Sequence, residues 1–490
     1  MVINPSEGSE RKKDTIMTRR TKIVATLGPA TSTYETIKDL IVTGVNVCRI
    51  NFSHSSHESV LELITIIRKI NEELNNHTAI LGDLQGPKIR VGEVENNGIE
   101  LVAGETIIMT SEPCIGTKEK LYISYLEMPK DVKPGEFVLM DDGKLKLEVI
   151  TTNLKDEVTL KILHGGILSS KKGVNLPNTA ISQPCLTPKD LEDLDFALEH
   201  NFDWIGLSFV RSARDIIELK HIISSQNKHS KVIAKIEKPE AVAELNEILK
   251  VTDAIMVARG DLGVEIPMQD VPLVQKEIVE KCRTHAKPVI IATQMMESMI
   301  DNISPTRAEV TDVASAVMEG ADAVMLSGET SVGKHPSAVI DAMCKIIMKI
   351  ENDYPEMYGK DLLPEKNQDR FITDSICFNA CRLSARVEAD AIVTMTHSGY
   401  TAYKISSQRP KAKIFVYSGN KRLLSMLALV WGVETFYYDK MVSTDHTIAD
   451  IKYLLKKHGN LQLGDLIINT ASMPIEEKGN TNMLKLSYIE

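Results

Sequence analysis

The sequence predicts an α/β protein built on a (β/α)8 barrel, with an inserted small β-barrel lid domain and a C-terminal three-layer α/β domain. Eight short runs rich in Val and Ile alternate with amphipathic helical patterns, as expected of parallel strands buried beneath helices. The alternation breaks once, where helical periodicity gives way to strand-like segments and turns. Periodicity alone does not separate a barrel from a doubly wound open sheet, so the open sheet is the alternative.

Domain boundaries follow from these changes in pattern. We expect an N-terminal extension at residues 1–18, a catalytic barrel at 19–86 and 186–352, a lid domain at 87–185, and a C-terminal domain at 353–490. The insertion follows the third predicted strand, at the end of a barrel where active sites lie. A domain inserted there is well placed to close over the site.

The predicted barrel strands follow one another along the chain, and each ends in polar residues. They cover residues 21–28, 47–52, 78–84, 202–210, 231–236, 253–259, 288–295 and 322–328. The clearest helical patterns between them cover residues 57–74, 239–250 and 305–320, the last bounded by Pro305 and Gly320. In a barrel, the carboxyl ends of these strands meet at one face, so their polar residues are the candidates for chemistry.

The two other domains show shorter elements. In the lid domain, residues 98–110, 134–150 and 156–166 are strand-like, and Asp141-Asp142-Gly143 is a hairpin turn signal. The C-terminal domain predicts strands at 389–396, 412–419, 433–438 and 464–471. Its predicted helices cover residues 371–387, 400–408, 421–431 and 446–457.

Composition excludes several classes of protein. The 490 residues are 43% hydrophobic and 25% charged, which is typical of a globular protein. A net charge of -10 argues against a nucleic-acid partner, because binding to phosphates needs clustered cations. We expect no membrane partner, because no apolar run reaches the length of a span. The 7 cysteines are odd in number and contain no CxxC pair, which favours free thiols and a cytoplasmic location.

The second and third predicted strands end in candidate phosphate ligands. Arg49, Asn51 and Ser53 alternate along an extended segment and therefore share a face. A guanidinium beside neutral oxygens suits a phosphate or carboxylate, although a salt-bridged Arg near a strand end gives the same pattern. The third strand ends in Asp83 and continues through Lys88 to Arg90. This segment is either part of the site or only a hinge to the lid domain.

The fifth, sixth and seventh strands end in candidate catalytic groups. Lys235 and Glu237 share a face, and a lysine inside a barrel mouth is costly to bury unless it is paired. Asp261 follows the neighbouring strand, so the two carboxylates can converge on Mg²⁺, with substrate and water completing the octahedron. Thr293 can position a substrate or relay a proton, or it can simply cap a helix.

At these positions the sequence resembles the pyruvate kinase family. The resemblance is carried by the segments TKIVATLGPAT, VCRINFSH, GDLQGPKIR, KGVNLP, AKIEKPEA, IMVARGDLGVEIP, KPVIIATQMMESM, PTRAEVTDVA and DAVMLSGETSVGKHP. They span most of residues 20–340 in order. The resemblance implies a glycolytic phosphotransferase that converts phosphoenolpyruvate and ADP into pyruvate and ATP, on a barrel with a β lid domain and a C-terminal α/β domain.

The resemblance also implies roles for single residues. Lys235 would stabilise the phosphoryl group in flight, Glu237 and Asp261 would hold Mg²⁺ or alternatively Mn²⁺, and Thr293 would lie near the enolate carbon. The amides near Gly260 and Asp261 would hold the substrate carboxylate. The phosphates of substrate and nucleotide would be contacted by Arg49, with further nucleotide contacts from Asn51, His54 and Arg90.

The sequence departs from the family where K⁺ binds. Asn51, Ser53 and Asp83 match K⁺ ligands, but Leu84 removes a hydroxyl and Gln85 replaces a lysine. Lys88 stands where K⁺-dependent relatives carry Glu, so its ammonium is expected to replace the ion and make K⁺ unnecessary. The alternative is that Lys88 only faces solvent on the hinge.

The C-terminal domain resembles the effector domain of the family, and relatives are usually homotetramers. Its phosphate-binding turn is matched by Thr396, His397, Ser398, Gly399 and Thr401. Glu476 and Glu477 in the last loop would repel a second phosphate, so we expect a monophosphorylated sugar or nucleotide effector, or none.

Two other function classes differ from the kinase in the residues that they need. A Mg²⁺-dependent lyase of phosphoenolpyruvate or pyruvate would share the paired carboxylates, but it would need neither a nucleotide-covering lid nor Lys235. A catalytically inactive binding protein would have lost Lys235, Glu237 or Asp261, and all three are present.

Overall fold

The computed structural model describes residues 19–366, 369–440, 443–474 and 481–490, so the predicted extension at 1–18 lies outside it. The barrel begins with β1 (Lys22–Thr26), α1 (Tyr34–Thr43), β2 (Val47–Asn51), α2 (His57–Leu74) and β3 (Ala79–Asp83). Helix α2 has the predicted bounds. The Ser56 side chain caps its first turn by accepting a hydrogen bond from the Ser59 amide, and the left-handed Asn75 ends it.

The lid domain is made almost entirely of strands. Its elements are β4 (Ile99–Leu101), β5 (Thr106–Thr110), β6 (Lys120–Tyr122), α3 (Met128–Asp131), β7 (Phe137–Met140), β8 (Leu145–Thr152), β9 (Glu157–His164), β10 (Gly166–Leu168) and β11 (Val174–Asn175). They form a six-stranded sheet in the order β11-β7-β8-β9-β5-β6 and a β10-β4 pair around one apolar core. The predicted hairpin joins β7 to β8, with positive φ at Asp141, Asp142 and Gly143.

The second part of the chain completes the barrel. Its elements are α4 (Pro188–Glu199), β12 (Trp204–Leu207), α5 (Ala213–Ser225), β13 (Lys231–Ile236), α6 (Pro239–Ala243), α7 (Leu245–Val251), β14 (Ala254–Ala258), α8 (Arg259–Glu265), α9 (Val271–Thr284), β15 (Val289–Ala292), α10 (Arg307–Glu319), β16 (Ala323–Leu326), α11 (Gly328–Ser331) and α12 (Pro336–Asp353). The eight parallel strands close in the order β1-β16-β15-β14-β13-β12-β3-β2. The barrel prediction is confirmed, and the open-sheet alternative is wrong because β1 pairs with both β2 and β16.

Two departures from the predicted helices occur in this part of the chain. The helix predicted at 239–250 is divided into α6 and α7 at Glu244, whose backbone leaves helical geometry at φ -92° and ψ 12°. Helix α8 was not predicted, because it starts directly after β14 and is only 7 residues long. It carries Gly260 and Asp261 in its first turn.

The C-terminal domain is a sheet between layers of helices. It contains α13 (Phe371–Arg386), β17 (Ala391–Met395), α14 (Tyr400–Ser407), β18 (Lys413–Ser418), α15 (Lys421–Met426), β19 (Val433–Tyr437), α16 (Thr444–Lys457), β20 (Leu466–Ala471) and β21 (Met483–Tyr488). The strand order is β19-β18-β17-β20-β21, and β21 is an antiparallel edge strand that the sequence analysis missed. One face of the sheet packs on α16 and the other on α13, which confirms the three-layer prediction.

The C-terminal domain covers the amino-terminal end of the barrel. Met426 and Leu429 pack with Trp204 in the apolar floor of the barrel, and the Trp204 indole donates to the Met426 carbonyl at 3.2 Å. The buried Arg409 guanidinium lies 3.1 Å from the Asp322 carboxylate, which precedes β16. The opposite, carboxyl end of the barrel is therefore the open one. In the described parts of the chain, no helix has the length and apolar character to cross a bilayer.

Candidate active site

Four buried charged side chains meet at the carboxyl end of the barrel. The Arg49 Nε donates to Asp83 Oδ2 at 2.7 Å. The Lys235 Nζ lies 3.3 Å from Asp83 Oδ1 and 3.0 Å from Glu237 Oε1. Strand alternation explains the arrangement, because Lys235 and Glu237 lie on one face of the chain that leaves β13, and Arg49 and Asp83 come from the neighbouring strands β2 and β3. All four residues are among the candidates that the sequence predicts.

These charges set one another's protonation. Burial alone would raise the pKa of Asp83, but the cations of Lys235 and Arg49 outweigh burial and hold that pKa below its usual range. Burial alone would lower the pKa of Lys235, but the carboxylates of Asp83 and Glu237 raise it. Lys235 is therefore a permanent cation in the barrel mouth. Burial raises the pKa of Glu237, and the nearby Asp261 carboxylate raises it further. The Lys235 cation acts in the opposite direction but does not cancel these effects.

Asp261 stands at the solvent side of this cluster and is within reach of Lys88. Its carboxylate Oδ1 lies 3.6 Å from the Lys88 Nζ, and about a third of each side chain is exposed. Lys88 therefore points into the site instead of facing only solvent, so the geometry disfavours the alternative raised from the sequence.

The donor set fits a hard divalent cation. Glu237 directly follows β13 and Asp261 lies in α8 after the adjacent strand β14, so both supply carboxylate oxygens near the same end of the barrel. The raised pKa of Glu237 reflects a buried negative charge that a cation would stabilise. Within the described residues, no three side chains of His, Cys, Asp or Glu group together in a metal-binding cluster. Two protein carboxylates leave most coordination positions to substrate and water, as Mg²⁺ prefers.

Thr293 lies in a strained turn after β15. Its φ of 68° is unusual for a β-branched residue, so the surroundings must hold it in place. The Gly260 amide donates to Thr293 Oγ1 at 2.8 Å. Arg259 stabilises this turn, because its guanidinium donates to the Thr293 carbonyl at 2.7 Å. The same guanidinium forms an ion pair with Asp312. Arg259 is not among the predicted site residues, although a charge at the end of an apolar strand is a signal that could have identified it.

Two hydroxyl groups that the sequence analysis also missed orient the cations. The Lys235 Nζ donates to Ser208 Oγ at 2.7 Å, and Ser208 in turn donates to the Leu84 carbonyl. The Arg49 Nη1 donates to Thr26 Oγ1 at 2.8 Å. Ser208 and Thr26 both lie at the carboxyl ends of barrel strands, which is the position that could have identified them.

Other predicted site residues lie outside this cluster. Asn51 and Ser53 are close to each other, with the Ser53 amide donating to Asn51 Oδ1 at 3.1 Å. His54 is exposed, and the Arg90 guanidinium donates to the Lys171 carbonyl in the lid domain at 3.0 Å. Leu84 is buried at 1% exposure and offers no side-chain oxygen.

The lid domain lies against the barrel mouth at α8. Asn175 donates to Glu265 Oε1 at 2.7 Å, and the same oxygen accepts from Lys238 at 2.6 Å. A Cβ added to Gly143, at the tip of the β7–β8 hairpin, would lie 3.6 Å from Val264. These contacts place the lid domain against α8, the helix that carries Asp261.

The predicted effector turn precedes α14 in the C-terminal domain. Thr396 Oγ1 accepts a hydrogen bond from the Gly399 amide at 3.0 Å, and Gly399 has a φ of 83°. Thr401 is buried, while His397 and Ser398 are exposed. The predicted repulsion by Glu476 and Glu477 concerns residues outside the described part of the chain.

A closed (β/α)8 barrel with buried cations and carboxylates at its open end defines an enzyme that acts on an anionic substrate. Comparison with known proteins identifies the family. The family described as "Pyruvate kinase, barrel domain" matches residues 18–340, and the family described as "Pyruvate kinase, alpha/beta domain" matches residues 374–487. The chain belongs to the pyruvate kinase family and is a phosphotransferase, and the lyase alternative is not favoured.

Relatives resemble the chain over nearly its whole length. The pyruvate kinase of Geobacillus stearothermophilus is 40% identical, covering 96% of this chain and 81% of the relative. That of Corynebacterium efficiens is 42% identical and covers 96% and 98%. The crystal structure of a pyruvate kinase from Cryptosporidium parvum superimposes with a TM-score of 0.90 at 35% identity, covering 96% of each chain. Family membership implies phosphoenolpyruvate and ADP as substrates, pyruvate as a product, and a divalent metal cofactor.

Proposed function

We propose that this pyruvate kinase uses Lys235 and Arg49 as its phosphoryl-binding cations, with Mg²⁺ held by Glu237 and Asp261, and that it works without K⁺. The observation that carries this proposal is the position of Lys235, a buried permanent cation fixed between Asp83, Glu237 and Ser208 at the open end of the barrel. A cation fixed in this way costs no reorganisation when charge develops on a transferred phosphoryl group.

The reaction breaks the bond between phosphorus and the enol oxygen of phosphoenolpyruvate and forms one to the terminal phosphate oxygen of ADP. Lys235 and Arg49 face the group in transit and stabilise the negative charge spread over its oxygens. Asp83 holds both cations in place, since it contacts each of them. Ser208 and Thr26 fix the directions in which the ammonium and guanidinium point.

Glu237 and Asp261 supply the protein oxygens for the divalent ion. When bound, Mg²⁺ would neutralise phosphate and enolate oxygens and help to align them. The chain's own contribution is to keep Glu237 oriented, because its second oxygen accepts from the Phe209 amide at 2.7 Å. Asp261 is held in the first turn of α8, below the lid domain.

The remaining enolate must gain a proton at carbon to become pyruvate. Thr293 is placed to hold the proton donor, itself or through a water molecule, and Arg259 keeps its turn in position. The Gly260 amide is engaged by Thr293 Oγ1, so the substrate carboxylate would have to share or displace that contact. The lid domain would exclude bulk water, which competes for the phosphoryl group.

Independence from K⁺ is supported by the position of Lys88. Its ammonium lies 3.6 Å from Asp261 and brings a fixed positive charge to the site. Leu84 is fully apolar at a position where K⁺-dependent relatives carry a hydroxyl. Asn51, Ser53 and Asp83 then serve as local hydrogen-bonding residues instead of as ion ligands.

The central role of Lys235 is tested by Lys235→Met. We expect ATP formation from phosphoenolpyruvate and ADP to fall by at least about a thousandfold, because the variant removes the main charge facing the phosphoryl group. The matched control is Lys250→Met, an exposed lysine of α7 that pairs with Glu247. Retention of more than a tenth of the activity by Lys235→Met would contradict the proposal.

We further propose a cytoplasmic homotetramer that responds to a monophosphorylated effector at Thr396, His397, Ser398, Gly399 and Thr401. Seven free cysteines support a reducing compartment. Light scattering should give a mass close to four chains of 54.4 kDa. Stronger activation by fructose 1,6-bisphosphate than by any monophosphate would argue against the effector class.

A further inference from the structure

A buried glutamate joins the lid domain to the barrel mouth. Glu265 is the last residue of α8, and its side chain is 0% exposed. One of its oxygens, Oε1, accepts from the Lys238 Nζ at 2.6 Å and from the Asn175 Nδ2 at 2.7 Å. Lys238 belongs to the barrel and Asn175 to strand β11 of the lid domain. A single carboxylate oxygen therefore contacts both domains.

The ion pair within this contact is costly to bury. The Lys238 side chain is 7% exposed, and Glu265 Oε2 has no hydrogen-bond partner among the described residues. Two charges removed from water lose hydration that their attraction repays only in part, so such a pair contributes little net stability. What the pair does fix is the distance between the two main-chain segments that carry the charges.

Each of these two segments also carries one of the carboxylates that fit a divalent ion. Asp261 lies four residues before Glu265 in α8, so the two side chains lie on the same face of that helix. Glu237 directly precedes Lys238, the residue before α6. The Glu265–Lys238 pair therefore ties the segment of Asp261 to the segment of Glu237 and limits how far apart the two carboxylates can move.

The lid domain reaches this pair through β11. Asn175 lies opposite Leu139 of β7 in the lid sheet, and the Val174 amide donates to the Ile89 carbonyl, where the chain enters the lid domain, at 2.9 Å. A movement of the lid sheet would therefore carry Asn175 away from Glu265. A cavity of about 20 Å³ beside the contact has room for one water molecule, which can take the place of the Asn175 amide when the lid moves.

We propose that Glu265 is a positioning residue through which the lid domain sets the affinity of the active site for its divalent ion. The proposal rests on the proposed function, because it takes Glu237 and Asp261 as the metal ligands. With Asn175 in place, Glu265 Oε1 holds α8 and Lys238 in the arrangement in which the two carboxylates converge. When Asn175 leaves, α8 is less tightly held and the carboxylates separate, so the ion binds more weakly.

The test is the binding of Mn²⁺ to the full chain without phosphoenolpyruvate or ADP, followed by the electron paramagnetic resonance signal of the free ion. Asn175→Ala removes the lid contact and leaves the Glu265–Lys238 pair and all charges intact. We expect this variant to bind Mn²⁺ at least about fivefold more weakly, as is usual for coupled sites. Glu265→Gln should weaken binding by at least about tenfold, because it alters the group that supports both ligand segments.

The two substitutions act through one oxygen, so their effects should not add. The double variant should bind Mn²⁺ no more than about twofold more weakly than Glu265→Gln alone. The matched control is Asn153→Ala, which changes a lid asparagine whose side-chain contacts stay within the β8–β9 turn, and it should bind Mn²⁺ like the unmodified enzyme. Melting curves verify folding, and the partly buried Asn175 keeps the test possible if Glu265→Gln does not fold.

Glu237→Gln separates failure of this proposal from failure of the proposed function. If Glu237→Gln weakens Mn²⁺ binding but Asn175→Ala does not, the metal site stands and its coupling to the lid domain is wrong. Full additivity in the double variant, or an equal loss in Asn153→Ala, would also overturn the positioning role of Glu265. If Glu237→Gln binds Mn²⁺ as tightly as the unmodified enzyme, the proposed metal site itself is wrong, and the positioning role is overturned with it.

Discussion

Replacement of Lys88 by Gln tests the proposal that its ammonium replaces K⁺, because the variant should need K⁺ for its activity. The change keeps the side chain polar and similar in length but removes the ammonium that lies 3.6 Å from Asp261. At that distance a unit charge interacts with another by about 1 kcal/mol in water and about 5 kcal/mol at an effective dielectric constant of 20. Both side chains are about a third exposed, so solvent screens the pair and the lower part of this range applies.

The same ammonium would also attract the charge that develops on the transferred phosphoryl group. We expect its removal to cost about 2 kcal/mol of transition-state stabilisation, which corresponds to a roughly thirtyfold fall in rate without K⁺. The assay is ATP formation with saturating Mg²⁺ in tetramethylammonium chloride, repeated with K⁺ at equal ionic strength. K⁺ should restore most of the rate to Lys88→Gln and should change the unmodified enzyme little. Lys171→Gln, which alters an exposed lysine of the lid domain, is the control.

Two results would refute the reasoning about Lys88. If Lys88→Gln keeps its full rate without K⁺, the ammonium contributes nothing to the site. If the rate falls but K⁺ does not restore it, Lys88 supports the hinge or the lid domain and does not replace a monovalent cation.

Two further predictions concern the metal site and the barrel floor. Glu237→Gln should raise the Mg²⁺ concentration needed for half-maximal rate by at least about tenfold, because a neutral amide replaces one of two carboxylate ligands; an unchanged Mg²⁺ requirement would exclude this role. Asp203 directly precedes β12 and accepts a hydrogen bond from the Ile80 amide at 2.8 Å. Burial raises its pKa from 3.8 to about 7, so the folded protein is destabilised as the pH rises from about 4 toward 7 and the buried carboxyl loses its proton. This loss amounts to about 3 kcal/mol between pH 5 and pH 8. The melting temperature of Asp203→Asn should therefore fall less between pH 5 and pH 8 than that of the unmodified protein. An identical fall in the variant and the unmodified protein would show that Asp203 does not cause the loss of stability.

Much of the fold could be predicted because its strongest signals are local. The barrel strands are apolar on both faces, and their positions match the predicted runs to within a few residues. Helix α2 has a polar cap at Ser56 and an apolar stripe along one face, so both of its ends could be predicted. The break at Glu244 was missed, since apolar periodicity continues from α6 into α7. Strand β21 was missed because it is a partly exposed edge strand with weak alternation.

The candidate site could be predicted from where strands end, but its contacts could not. Strand order places Arg49, Asp83, Lys235 and Glu237 at one mouth, and the residue types alone suggest anion and metal binding. The approach of Lys88 to Asp261 depends on how the lid domain sits on α8, which involves contacts far apart in the sequence.

The most direct test of the proposed function is the rate of ADP phosphorylation by phosphoenolpyruvate with Mg²⁺, first in buffer free of K⁺ and then with K⁺ added. We predict formation of ATP and pyruvate at nearly the full rate without K⁺, with little change when K⁺ is added. Activity that appears only with K⁺ would contradict the role of Lys88 and return Asn51, Ser53 and Asp83 to the role of ion ligands. No ATP under either condition would contradict the proposed catalytic function of the cluster around Lys235.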